Sequence, residues 1–271
     1  MSDSDPRLER GLDVCSTLAG SAEGGRGMAQ FFESRGALGD LALRTGAGEI
    51  WARETLSRRD RSLIVISMLT ALGRDLELRA HIAGGLNHGL TQEEIDEIFV
   101  QISAYAGMPV ALAGAGLADA VFAERDGTPE RKTPPAPLEK KSDAERRQDG
   151  LDLLKTLLGQ PNLDTALTEE QILASQGPIG PLVLDSAFGE IWTRPQLSRR
   201  DRSLIVISVL TALNLKHELE IHLQGALNHG VTRVEIEEML TTAVLYTGFP
   251  RAIDGLIIAR SVFERADAAA S

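Results

Sequence analysis

One cysteine, Cys15, occurs in 271 residues, which rules out an internal disulfide, a CxxC redox pair and a thiolate zinc site. Aromatic residues make up 4% of the chain, with two Trp, two Tyr and seven Phe. A core must therefore come mainly from Ala, Leu, Ile and Val, and apolar residues at 43% are enough to build one. No run approaches the ~20 apolar residues that cross a bilayer. Met1 to Arg10 is polar and lacks the apolar stretch of a signal peptide, so a cytoplasmic location is expected. Excess positive charge is missing too. The net charge of −11 repels a nucleic-acid backbone or an anionic membrane, and an anionic substrate would need arginines placed locally. HExxH, P-loop, GxSxG and GxGxxG patterns are absent, and neither a metal nor a cofactor is expected.

What the chain does contain is itself, twice. Residues 57–72, SRRDRSLIVISMLTAL, and 198–213, SRRDRSLIVISVLTAL, match at fifteen of sixteen positions with an offset of 141. Gly48-Glu49-Ile50-Trp51 pairs with Gly189-Glu190-Ile191-Trp192, and Leu86-Asn87-His88-Gly89 with Leu227-Asn228-His229-Gly230. Tyr105, Gly107 and Pro109 pair with Tyr246, Gly248 and Pro250. Near the start Gly11-Leu12-Asp13 pairs with Gly150-Leu151-Asp152 at an offset of 139. A period this long is a duplicated domain. The expected division is copy 1 over 1–126, a Pro- and charge-rich exposed linker over 127–143, and copy 2 over 144–271.

The punctuation is helical, and an all-α fold is expected. Ser57 with Asp60, and Ser198 with Asp201, resemble capping boxes. The helix after Ser57 is apolar on nearly every face from Leu63 to Leu72, which predicts a central buried helix. A second helix covers about 76–88 and stops at Gly89. Thr91 with Glu94 opens a third, and a last one covers about 110–124.

Four of the five histidines are repeat-matched: His81 with His222, and His88 with His229. Glu77 and His81 lie one turn apart on one helix face, as do Glu218 and His222. Such a pair is candidate acid–base machinery, although a solvated surface pair has the same spacing. Gly84 and Gly225 lie on the same stripe, where a close-approaching ligand or helix would explain a helical glycine. Arg61 and Arg202 open the buried helices and are candidate carboxylate anchors. Trp51, Trp192, Tyr105 and Tyr246 are candidate pocket walls or core anchors. His88 and His229 are candidate binding residues, or cations at a helix C-terminus. Arg79 faces Glu220 in the repeat, a charge reversal that suggests two unequal sites.

The string GEIW…LSRRDRSLIVISMLTALGRDLELRAHIAGGLNHGLTQEEIDE…YAGMP resembles the carboxymuconolactone decarboxylase family over nearly the whole of each copy. The resemblance implies an all-helical fold, active-site positions at Glu77, His81, Glu218 and His222, and an assembly of six domains, hence a homotrimer of two-domain chains. The redox branch of the same superfamily needs cysteines where this chain has Arg74 and Glu77, or Leu215 and Glu218, and a glutamate where it has Ser62 and Ser203. Thiol peroxidase chemistry is thereby excluded. The function implied is a cofactor-free decarboxylase of a small anionic lactone such as 4-carboxymuconolactone, in aromatic catabolism. The departing carboxylate would sit in an apolar pocket, the electrons would pass to the lactone carbonyl, and one member of the His–Glu pair would donate toward the oxygen or carbon while the other tunes it. The alternatives are a relative diverted to natural-product chemistry and a non-catalytic binding protein or scaffold.

Overall fold

A computed structural model describes residues 5–159 and 169–270. Among them every regular element is helical. Copy 1 runs through α1 (Pro6–Ala19), α2 (Ala22–Glu33) and α3 (Ala37–Leu41), which widens without a break into a π-helical segment, Ala42–Trp51. It continues with α4 (Arg58–Ala71), α5 (Asp75–Asn87), α6 (Gln92–Ser103) and α7 (Met108–Asp126). Copy 2 begins with α8 (Asp143–Leu158), followed by α9 (Glu169–Gln176) and the short α10 (Gly180–Leu182). A second π-helical segment, Val183–Ile191, leads to α11 (Arg199–Leu213), α12 (Lys216–Asn228), α13 (Arg233–Thr247) and α14 (Phe249–Ala270). None of these helices is long and apolar enough to cross a membrane.

Local chemistry sets the helix ends. Thr91 and Thr232 form complete capping boxes with Glu94 and Glu235. Ser57 and Ser198 cap α4 and α11 by accepting the backbone N–H of Asp60 and Asp201. Every residue of α4 from Asp60 to Ala71 is buried, and α11 is enclosed in the same way from Asp201 to Ala212. These two helices pack on each other, and α13 of copy 2 lies against α4 as α6 of copy 1 lies against α11. One continuous apolar core therefore runs through both copies.

Glycine permits a matched close backbone contact in each copy. A Cβ on Gly11 would stand 2.2 Å from the carbonyl oxygen of Leu43, and one on Gly150 would stand 2.0 Å from that of Leu184. These glycines seat α1 and α8 against the two π-helical segments in the same register. Gly84 and Gly225 make room for a helix and not for a ligand, because their added Cβ would meet Leu18 and Leu157 at 2.2 and 2.3 Å.

Arg61 and Arg202 do not face a substrate cavity. Both are fully buried, and each spans the boundary between copies. Arg61 donates to Glu238 Oε1 at 2.8 Å, to the Arg53 carbonyl at 3.0 Å and to the Thr242 hydroxyl. Arg202 donates to Glu97 Oε1, the Arg194 carbonyl and Gln101 Oε1, each at 2.8 Å. Arg53 and Arg194 complete the clusters with paired contacts to Glu238 and Glu97. With their charge neutralised in this way, the two arginines no longer fit the expected role of carboxylate anchors. Arg59 to Asp201 (3.1 Å) and Arg200 to Asp60 (2.9 Å) add a second crossed pair nearby.

The Arg79/Glu220 reversal also has a structural reason. Arg79 pairs with Glu124, and Glu220 with Arg265, which occupies the position of Glu124 in the repeat. The same surface ion pair is written with its signs exchanged, so this difference says nothing about unequal sites. The connecting segment after Asp126 is extended and largely exposed, and it is tethered at three points. Arg131 pairs with Asp96 and Asp119, Arg194 holds the carbonyls of Ala136 and Pro137, and Lys141 reaches Asp149.

Removing one partner of a buried ion pair strands the other charge. Glu238→Ala should lower stability by about 3–5 kcal/mol in urea unfolding. An apolar pair, Arg61→Met with Glu238→Leu, should recover most of that loss. A change below ~1 kcal/mol in the single variant would show that the cluster behaves as an exposed salt bridge.

Candidate active site

The π-helical segment of copy 1 places Ala42, Thr45, Gly46 and Ala47 along one wall of a cavity of about 460 Å³, with Trp51 at its end. π-helix is rare and recurs at functional sites, and its wider turn was not legible in the sequence. From α5, Glu77 and His81 reach the same cavity. Its other walls are apolar: Val14, Leu18, Met28 and Phe32 from α1 and α2, and Val244, Leu245 and Phe249 from copy 2. Cys15 lines it as well, and burial raises its thiol to about 11, so it is present as the neutral thiol.

The decisive contact comes from the other copy. Trp51 Nε1 donates to the Tyr246 hydroxyl at 2.8 Å, and that oxygen lies 3.3 Å from His81 Nε2. The indole can only donate, so the phenol oxygen accepts from it and its own proton is free for Nε2. The proton of neutral His81 is then assigned to Nδ1, an enclosed atom that has no other partner. The imidazole lies parallel to the Trp51 ring, with centroids 5.6 Å apart and planes at 20°, and the Tyr246 ring meets it edge-on at 5.5 Å. Burial, with some repulsion from His88, lowers His81 to about 4, so it is neutral at pH 7. Burial also raises the Tyr246 phenol, which stays protonated.

The second set repeats the plan with the copies exchanged. Trp192 Nε1 donates to the Tyr105 hydroxyl at 2.8 Å, and His222 stacks on Trp192 with planes at 10°. All four Trp and Tyr residues, with four of the five histidines, are thus gathered into two clusters. Each takes its tryptophan and two histidines from one copy and its tyrosine from the other. The sequence offered the scarcity of these residues and their repeat-matching as a signal, but not the crossing.

His88 and His229 do not face the chamber. Thr17 spends its hydroxyl proton on the Val14 carbonyl, so it accepts from His88 Nε2 at 3.2 Å, while Ser62 donates to Nδ1 at 2.8 Å. Ser203 and Thr156 hold His229 in the same manner. Both ring nitrogens are occupied, and each ring leans on its tryptophan at 5.9 and 5.7 Å. Their place is behind the indole, as its support, and the expected binding role gives way to that one. Glu77 and Glu218 are exposed, and the described residues show no hydrogen bond from Glu77 to His81 or from Glu218 to His222. The helix turn places Glu77 beside His81 in the cavity lining, but the two side chains are not a bonded pair. The lining contains no lysine or arginine. No group of three His, Cys, Asp or Glu side chains among the described residues could hold a metal ion.

Comparison with known proteins meets this geometry at the same segments. The family model described as "Carboxymuconolactone decarboxylase family" matches residues 37–120 and 180–261, once in each copy. The chain belongs to that family. It is 33% identical to the 4-carboxymuconolactone decarboxylase of Acinetobacter baylyi over 127 residues, 47% of this chain and 95% of that protein. It is also 33% identical over 110 residues to the nitrosuccinic acid decarboxylase npaB of Metarhizium robertsii, covering 41% of this chain and 76% of the relative. Each of these matches spans less than half of a chain that carries the family unit twice.

All four clustered histidines are held below their ordinary value of 6.5, three at about 4 and His222 at about 3, with burial the leading cause. Between those values and 6.5 the unfolded chain binds protons that the native chain does not. Their contribution to stability is therefore complete above pH 6.5 and is lost as pH falls toward 4. The urea midpoint should drop between pH 6.5 and 5, before most carboxylates titrate. A flat midpoint over that window would mean that these imidazoles are freely protonated in the fold.

Proposed function

We propose that this family member is a cofactor-free decarboxylase, and that its chemistry runs in the chamber enclosed by Trp51, His81 and Tyr246. The observation that carries the reading is a neutral imidazole and a protonated phenol, joined to each other at the wall of an apolar cavity. A carboxylate is poorly solvated there, and loss of carbon dioxide disperses its charge. The C–C bond breaks, its electron pair moves into an adjoining carbonyl or equivalent acceptor, and the resulting enolate-like oxygen is stabilised by hydrogen bonds from the wall. Carbon then takes up a proton, so one proton is consumed for each carbon dioxide released. The His81–Tyr246 pair supplies it, and Glu77, at the exposed end of the lining, returns it from solvent.

Substrate class follows from the walls. Both relatives are named for the decarboxylation of acids, and 4-carboxymuconolactone is the first compound to assay. Yet the lining offers a carboxylate, Glu77, and no cationic side chain. A second charge on the substrate would have no counterion in the chamber. This favours the second reading, a relative diverted to natural-product chemistry on a small and mostly apolar carboxylic acid, over a doubly charged lactone.

The test is carbon dioxide release, followed by mass spectrometry, across a panel running from 4-carboxymuconolactone to singly charged, enolisable acids. Release from at least one acid is expected, with His81→Gln lowering kcat by a factor of about 10²–10⁴ while the urea midpoint stays near that of the parent. Turnover unaffected by His81→Gln would remove the imidazole from the mechanism. Absence of release from every acid would leave a binding protein in place of an enzyme.

A further inference from the structure

The two chambers are built on one plan, but one wall position differs in a way that decides whether a ligand fits. Ala47 lines the cavity beside Trp51. At the offset of 141 its counterpart is Phe188. The matched contacts of Gly11 with Leu43 and of Gly150 with Leu184 put the two π-helical segments in the same register against α1 and α8. Phe188 thus occupies the place of Ala47. Its ring is buried, at 8% exposure, and stands 6.4 Å from the Trp192 ring at an angle of 58°.

On the same side of the chamber Gly46 becomes Ala187 and Cys15 becomes Leu154, which adds bulk around Phe188, whereas the wall supplied by the other copy is trimmed, with Ser103, Ala104 and Met108 in place of Val244, Leu245 and Phe249. The link from the tyrosine is also altered: Tyr246 reaches His81 Nε2 at 3.3 Å, whereas the described residues show no hydrogen bond between Tyr105 and His222.

We infer that only the chamber beside His81 admits substrate, and that Phe188 is the side chain that closes the chamber beside His222. This rests on the decarboxylase reading of the first chamber. The second set then serves as a packed structural counterpart, whose Trp192–Tyr105 contact helps to hold the copies together. Duplication lets the fold keep one binding site while the other becomes core, in line with the overlap of both sets with a shared apolar interior.

Crystals of the full chain soaked in 4-iodobenzoate separate the possibilities through the anomalous signal of iodine. The parent protein should show iodine beside His81 and none beside His222. Phe188→Ala should add a second iodine position beside His222, and Ala47→Phe should lose the first. Iodine in both chambers of the parent would overturn the inequality while leaving the first chamber as a ligand site. Iodine in neither chamber would overturn the ligand-site reading and the inequality with it. If Phe188→Ala does not fold, Phe188→Leu makes a smaller opening, and failure of the folded variant to gain occupancy would show that Phe188 is not what closes the chamber.

Discussion

The buried guanidinium–carboxylate contacts between copies are the constraint on which the rest depends. Arg61 with Glu238, and Arg202 with Glu97, bring charges into an interior otherwise made of Leu, Ile, Val and Ala. Such pairs contribute little net stability compared with apolar packing, but a misaligned one is costly. They therefore act on geometry, by fixing α13 against α4 and α6 against α11. Tyr246 lies on α13, two turns beyond Glu238. The ion pair that seats Glu238 against Arg61 thus also delivers the phenol to the His81 of the other copy.

That dependence explains why the chamber is composite. Neither copy contains a complete set of tryptophan, histidine and tyrosine in contact. The protein behaves as an internal dimer, with each half completing the other. The linker breaks the symmetry at its own side only. It covers Arg194 through the carbonyls of Ala136 and Pro137, whereas Arg53, the matched residue, remains half-exposed. The sequence differences at Ala47/Phe188 and Cys15/Leu154 then fall on π-helical segments and first helices held in matched register, and this makes them interpretable as changes in one chamber.

Much of this was legible before any coordinates. The duplication, the buried helices beginning at Ser57 and Ser198 and the helix start at Thr91 all follow from short-range chemistry. What sequence could not supply depends on which chain segment comes to rest against which. Arg61 is a candidate substrate anchor on sequence alone because nothing local reveals that Glu238, far along the chain, neutralises it. For His88 the sequence leaves open a binding residue or a cation at a helix end, because Thr17 and Ser62, which occupy its ring nitrogens, are remote from it. The Arg79/Glu220 reversal looked like divergence of the sites until Glu124 and Arg265 showed it to be one ion pair with its signs exchanged. The π-helical turn leaves no mark in the pattern of apolar residues, although it sets the wall on which Ala47 and Trp51 stand.

The central claim is that His81 of one copy and Tyr246 of the other act as one unit. A double-mutant cycle on kcat/KM for decarboxylation, with His81→Gln, Tyr246→Phe and both together, measures that directly. If the two groups form one proton-delivering pair, the double variant should be scarcely slower than His81→Gln alone, giving strong non-additivity across residues 165 positions apart. Losses that multiply independently would contradict a chamber shared between the copies.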